Sequence, residues 1–252
     1  MTNNTWKTPH LLIKKGQVGK YALLPGDPGR AHLIAKFLDK SSLVTQNREF
    51  VVYNGVYKGV NITIASTGIG GPSAAIAVEE LARAGTRVFI RVGTCGALRK
   101  GIEVGDLIIP YAAVRNDGVT KRYVSENYPA VASPRVYYAL VNAAKRHDIK
   151  YYEGIILSDD MYYCRLDEMI EWSKKNIIAV EMEASTIFTL TSLKGLEGGA
   201  ILAVDGNIIE GTGKPFIGES EDVEKKDKLR RGIETEIKIA LDAVLLLEGY
   251  YM

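Results

Sequence analysis

Val88-Phe89-Ile90-Arg91-Val92-Gly93-Thr94-Cys95-Gly96-Ala97 is the stretch on which the fold turns. It opens as an apolar run and then delivers an arginine, a hydroxyl and two glycines. A near-continuous apolar run of this length predicts a strand buried on both faces, Val88–Val92. Similar runs predict strands at Tyr21–Leu24, Val60–Ala65, Leu107–Pro110, Gly154–Leu157, Ile177–Val180 and Ala200–Val204. Between them lie helical patterns at Arg30–Phe37, Ser73–Ala84, Pro134–His147, Leu166–Lys174, Ala184–Leu193 and Glu224–Leu247. Strand–helix alternation implies an α/β fold, with helices covering a mostly buried sheet. Pro72 suits the first turn of the second helix, Ser73 is available to cap it, and Gly85 suits its end. In the last helix Leu229, Ile233, Ile237, Leu241 and Val244 recur at helical spacing, so one face is core.

The chain has 252 residues, 46% of them hydrophobic, which supplies a sizeable core. No linker, composition break or repeat divides it, so residues 1–252 read as one domain. Its net charge of +2 argues against a general nucleic-acid or membrane footprint. Cys95 and Cys164 make neither a zinc spacing nor a disulfide framework, so no metal is expected and the compartment reads as reducing and cytoplasmic. No apolar run approaches the ~20 residues of a membrane span, and Met1–His10 lacks the apolar stretch of a secretory signal. Residues 206–222 are the one long irregular stretch, a functional lid or a poorly ordered loop.

Arginine forks beside open backbone N–H groups suit an oxyanion. Arg91 ends an apolar strand, where an unpaired charge is costly, so it is either a salt-bridge partner or a ligand contact. Gly26-Asp27-Pro28-Gly29-Arg30 joins a strand to a helix, either as an anion cradle at the helix N-terminus or as a tight connection with a solvated arginine. Arg48, in Asn47-Arg48-Glu49-Phe50, reads by itself as a surface ion-pair residue. Glu181 and Glu183 flank Met182 at a strand end and fall on one face, as a pair holding vicinal hydroxyls would. Charge at the N-terminus of the following helix explains Glu183 equally well. Asp205-Gly206 reads first as a turn dipeptide, and otherwise as an acid at a strand end. His10 reads as a surface residue. Tyr162 and Tyr163 are either packing or a stacking platform for a planar ring.

Taken in order, Gly-Asp-Pro-x-Arg, Arg-Glu-Phe, Ser66-Thr-Gly-Ile-Gly-Gly-Pro-Ser73, Arg91-Val-Gly-Thr-Cys-Gly-Ala97 and Val180-Glu-Met-Glu-Ala184 resemble the hexameric nucleoside phosphorylases. The resemblance runs from about His10 to the C-terminal helix. It implies a single-domain, three-layer fold around a mixed, partly barrel-like sheet flanked by helices. It implies inorganic phosphate as co-substrate, no cofactor, and a homo-oligomer, a hexamer built as a trimer of dimers with active sites shared across each dimer. Carried over residue by residue, Gly26, Arg30, Arg91 and Thr94 would bind phosphate, and Arg48 would reach it from the adjacent subunit. Met182 and Glu183 would hold the ribose, with His10 touching its 5′-hydroxyl across the dimer. Cys95, Gly96, Tyr162 and Asp205 would face the base, with Arg91, Glu183 and Asp205 carrying the chemistry.

The base is less clearly written. The Gln/Arg pair with which bacterial uridine phosphorylases read uracil is absent before Glu181, and Arg165 does not reproduce it. Val204-Asp205-Gly206 and Ser158-Asp-Asp-Met-Tyr-Tyr163 look like the apicomplexan purine phosphorylases, which makes Asp205 the acid and a purine the favoured base. Ser66–Ser73 and Tyr128–Ala132 also look like uridine phosphorylases, so uridine or dual specificity stays open. A nucleosidase would not need three arginines at the anion position, and a non-catalytic nucleoside binder would gain little from them. The glycine spacing is wrong for a dinucleotide fingerprint.

Overall fold

The computed structural model describes residues 6–212 and 223–249. Its first half carries β1 (Tyr21–Leu24), α1 (Pro28–Ala35), β2 (Lys40–Asn47), β3 (Phe50–Tyr57), β4 (Val60–Ala65), α2 (Gly71–Ala84) and β5 (Val88–Ala97). There follow β6 (Leu107–Asn116), α3 (Thr120–Tyr123), β7 (Ala130–Val131), α4 (Pro134–Ala144), β8 (Tyr151–Asp159) and α5 (Leu166–Lys174). The chain ends with β9 (Ile177–Glu181), α6 (Ala184–Leu193), β10 (Glu197–Asn207) and α7 (Val223–Glu248). Among the described residues no helix is long and apolar enough to cross a membrane.

The strands form one mixed sheet in the order β10-β6-β8-β9-β5-β1-β4-β3-β2. β10 also pairs with β5, so five strands close on themselves, β1, β4, β3 and β2 run out as an open wing, and the short β7 pairs with β6. This is the barrel-like element that the family resemblance implied. Pleating sorts the side chains onto two faces. Tyr21, Leu23, Ile62, Ile64, Val88 and Ile90 pack towards α1, α4 and α7. Ala22, Leu24, Phe89, Leu202 and Val204 pack towards α2 and α6. Three layers result.

Several expectations need correction. β5 does not end at Val92 but runs on to Ala97, hydrogen-bonded to β10 and then β9. Gly93 to Gly96 are therefore strand rather than turn. The β2–β3 hairpin has no counterpart in the sequence reading, because β2 is an exposed edge strand without an apolar run. Ser73 does not cap α2: Gly70, at φ 88°, occupies the cap position and the Ser73 hydroxyl donates to Glu49 at 2.9 Å. Gly206 and Asn207 belong to β10 rather than to a loop. Of the expected lid, residues 213–222 lie outside the described residues.

Candidate active site

One cavity of about 690 Å³ opens at the carboxyl ends of β1, β5, β9 and β10. Ligands of α/β sheets gather at such strand ends. It is lined by Gly26, Arg30, Arg91, Thr94, Cys95, Gly96, Tyr162, Met182, Glu183 and Asp205, ten of the residues singled out from the sequence. Arg48 and His10 are not among its walls.

Arg91 is the hub. Its side chain is 5% exposed; Nη2 lies 2.5 Å from Glu183 Oε2 and Nε 2.7 Å from Glu181 Oε2. Nε is not aligned for a hydrogen bond, and Nη1 has no partner. Burial works against the guanidinium charge, but Glu183 and Glu181 outweigh it and raise the pKa. Salt bridge and ligand contact are thus not alternatives here. Two nitrogens face carboxylates and the third is left for something else. A Cβ on Gly26 would lie 3.9 Å from Nη1, so the β1–α1 turn borders that nitrogen. A Cβ on Gly93 would fall 2.7 Å from the Arg91 Cζ. Two residues along the same strand face, only glycine leaves room for the folded-back guanidinium.

The β1–α1 turn differs from the expectation. Asp27 caps α1, accepting from Gly29 N and Arg30 N at 3.0 Å each. Those helix N-terminal donors are already used by a side chain, which leaves the Arg30 side chain as the turn's cationic contribution to a cavity wall that also includes Asp27.

The two glutamates exchange the roles considered for them. Glu181 is the structural one: it accepts from Glu183 N at 2.9 Å, from Ala184 N at 3.0 Å and from Ser158 Oγ at 2.5 Å, closing the start of α6. Glu183 accepts from Gly70 N at 2.5 Å and reaches Arg91. Burial and the neighbouring Glu181 push its carboxyl above the usual range against the pull of Arg91.

Asp205 is not in a turn. Val204 pairs with Cys95 and Gly206 with Gly96, so Asp205 is the extra residue of a bulge in β10. A bulge re-aims one side chain out of the alternation, here into the cavity wall. Cys95 is fully buried, and burial, with Asp205 and Glu181 nearby, pushes its thiol well above its ordinary value. It is wall rather than nucleophile. Tyr162 is half-exposed, edge-on to Tyr163 at 5.1 Å. Sequence reading missed Asp159, Met161, Leu166, Ile208, Glu49 and Ile69 among the walls of the cavity. Asp159 and Met161 lay in Ser158–Tyr163, Glu49 in Asn47–Phe50 and Ile69 in Ser66–Ser73, segments that had drawn notice without any of the four being singled out.

His10 and Arg48 sit together elsewhere. Arg48 is exposed, at φ 53°, in the two-residue turn joining β2 to β3. Asn47 Nδ2 donates to the His10 carbonyl at 2.8 Å. The His10 ring faces Glu80 at 2.7 Å and keeps 35% of its side chain exposed. Beside this pair is Glu49, whose carboxyl is lowered mainly by a backbone hydrogen bond and further by Ser73, Arg48 and His10.

The chain is similar to proteins of known structure and activity. Residues 20–244 match the phosphorylase superfamily. A guanosine phosphorylase of Halorubrum lacusprofundi is 47% identical over 96% of this chain and 99% of its own. Uridine phosphorylase of Vibrio fischeri ES114, solved with 6-hydroxy-1-naphthoic acid, superposes with a TM-score of 0.89 at 35% identity, covering 96% of this chain and 98% of its own. Purine nucleoside phosphorylase of Toxoplasma gondii, solved with immucillin-H, gives 0.87 at 35%, covering 97% and 98%. With its motifs, its closed five-strand ring and its relatives in agreement, the chain belongs to the phosphorylase superfamily.

Proposed function

We propose that this enzyme is a nucleoside phosphorylase that cleaves purine ribonucleosides with inorganic phosphate, giving the free base and ribose 1-phosphate. The observation that carries the reading is the buried Arg91 guanidinium. It ties Glu183 on one side and keeps Nη1 unpartnered on the other, beside Gly26. A single cation thereby joins a hydroxyl-binding carboxylate to an oxyanion corner completed by Arg30 and Thr94.

The chemistry follows from that placement. Breaking a ribosyl C–N bond develops positive charge on the sugar and negative charge on the leaving base. Phosphate held under the anomeric carbon by Arg30, Arg91 and Thr94 stabilises the first and captures it with inversion. Glu183 accepts from the 2′- and 3′-hydroxyls beside Met182, which fixes the sugar over the phosphate. Asp205, aimed inward by its bulge, supplies a proton to the purine N7 as the base departs. Cys95, Gly96 and Tyr162 bound the base. No resident cofactor or metal takes part.

The second reading is uridine or dual specificity. The similarity to uridine phosphorylase and the apolar Met161, Leu166 and Ile208 at the base end, which would accept either ring, favour it. The guanosine phosphorylase relative favours purine. The active unit is a dimer, or a hexamer built as a trimer of dimers, in which Arg48 and His10 of one subunit complete the cavity of the next. Incubation with inosine, guanosine, adenosine and uridine, with and without phosphate, is the test. Phosphate-dependent release of hypoxanthine or guanine with ribose 1-phosphate is the expected result. Base release indifferent to phosphate would overturn phosphorolysis, and turnover of uridine alone would overturn the purine reading.

A further inference from the structure

α7 packs its apolar stripe on β10, β5 and α4, and a carboxyl sits in the middle of that stripe. Glu236 is 0% exposed, and neither carboxyl oxygen makes a well-aligned hydrogen bond, although the backbone N–H groups of Gly93 and Ala203 are directed at it. On its own helix the residues one turn away are Gly232, Ile233, Ile239 and Ala240, none of them titratable. α4 adds no charge there: Arg135 and Tyr137 bond Glu197 and Glu153, and Tyr138 faces solvent. The charges that do act on Glu236 are Arg30 of α1 and Arg91 of β5. From β10 and β5 come the backbone of Ala203 and Gly93, and Cys95, which feels both Glu236 and Asp205. Glu236 is therefore within electrostatic reach of the two arginines of the oxyanion corner and is not among the walls of the cavity.

A buried carboxyl with only poorly aligned backbone donors is unstable as an anion unless nearby cations hold it. Here those cations are also wanted by the ligand. With Glu236 ionised, three carboxylates (Glu181, Glu183 and Glu236) share two guanidiniums, and an incoming dianion meets a net negative corner. With Glu236 neutral the corner is balanced. Resting on the reading of Arg30 and Arg91 as phosphate ligands, we propose that Glu236 is a proton-linked regulator of that site. It takes up a proton from solvent as the oxyanion binds, leaving both arginines to the ligand, and competes for them when ionised.

Burial pushes the Glu236 carboxyl up to about 8, against the pull of Arg30 and Arg91. Below that value the neutral form prevails and the corner accepts a dianion. Above it the ionised form prevails and binding weakens. Glu236 touches neither substrate nor reacting atoms, so its role is positioning.

Sulfate probes this cleanly, because it keeps its charge between pH 6.5 and 9.5 whereas phosphate does not. Calorimetric titration of the intact oligomer with sulfate is expected to show affinity falling roughly tenfold from pH 7 to pH 9. At pH 8 it is expected to show proton uptake, read from two buffers of different ionisation enthalpy. Glu236→Gln should bind sulfate like the wild type at pH 7, within about threefold, with no fall at pH 9 and no proton uptake. If the amide variant does not fold, Glu236→Met replaces it. A wild type without proton uptake, or a variant that keeps the wild-type slope, overturns the proposal. A wild type that binds neither sulfate nor phosphate at pH 7 instead overturns the reading of the phosphate corner.

Discussion

Gly93 and Asp205 are placed by geometry that a substitution can test. A methyl at residue 93 would meet the Arg91 guanidinium at 2.7 Å, and the guanidinium cannot retreat because Glu181 and Glu183 hold it. Gly93→Ala is expected to lower kcat/KM for phosphate by about 10²-fold, as a misplacement near 1 Å does. Steady-state kinetics with phosphate varied at saturating inosine checks this, and an unchanged value would mean the glycine serves only the sheet. Asp205→Asn keeps the shape of the bulge and removes the proton. Inosine cleavage should fall by about 10²–10³-fold and uridine cleavage far less, since uracil offers no N7 to protonate. Equal losses on both nucleosides would make Asp205 structural. At this scale the sequence was legible wherever a charged residue sat inside an apolar run, as Arg91 and Glu183 do. It misled where chemistry and capping look alike. Glu181 and Glu183 are equivalent in the sequence, and only the hydrogen bonds from Glu183 N and Ala184 N to Glu181 separate the cap from the carboxylate that faces Arg91 Nη2.

At the scale of elements, α7 carries a cost that pH exposes. The Glu236 carboxyl is raised in the fold from 4.5 to about 8. A carboxyl raised on folding favours the folded state below its unfolded value, and that contribution is lost as pH rises through the folded value. Wild-type stability relative to Glu236→Gln should therefore decline between about pH 5 and pH 8, by up to about 1.4 kcal/mol per pH unit, and level off above. Urea unfolding of both proteins across that range measures it, and a gap that does not change with pH would mean Glu236 is solvated or paired in solution. The residue was visible as a charge on the apolar face of the last helix, between Ile233 and Ala240, but periodicity alone does not tell a buried acid from one at the edge of the stripe. β2 was invisible for the opposite reason: an edge strand exposed along most of its length has no apolar run to betray it. The bulge at Asp205 was equally hidden, because Asp-Gly is also what a turn requires and the register between β5 and β10 settles which one forms.

The whole molecule was legible as an α/β alternation, but the closure of five strands into a ring was legible only through the family resemblance and not from the pattern of runs, because β5 and β10 meet across about a hundred residues of chain. Assembly lies further still from sequence logic. Arg48 and His10 occupy one exposed surface, tied through Asn47, and neither lines the cavity of its own subunit. If each site draws them from a neighbour, two different lesions should complement. Arg48→Ala removes the residue a subunit lends, and Glu183→Gln the residue it keeps. Each variant alone should be nearly inactive. When the two are mixed, dissociated and reassembled, half of the dimers pair one of each, and in such a dimer one site carries both lesions and the other carries none. Activity should return to roughly a quarter of the wild-type level, the proportion that twofold sharing dictates. Mixing without dissociation should restore nothing. A reassembled mixture that stays inactive, with size measurements showing hybrid dimers, would place Arg48 in its own subunit's chemistry and remove the shared site.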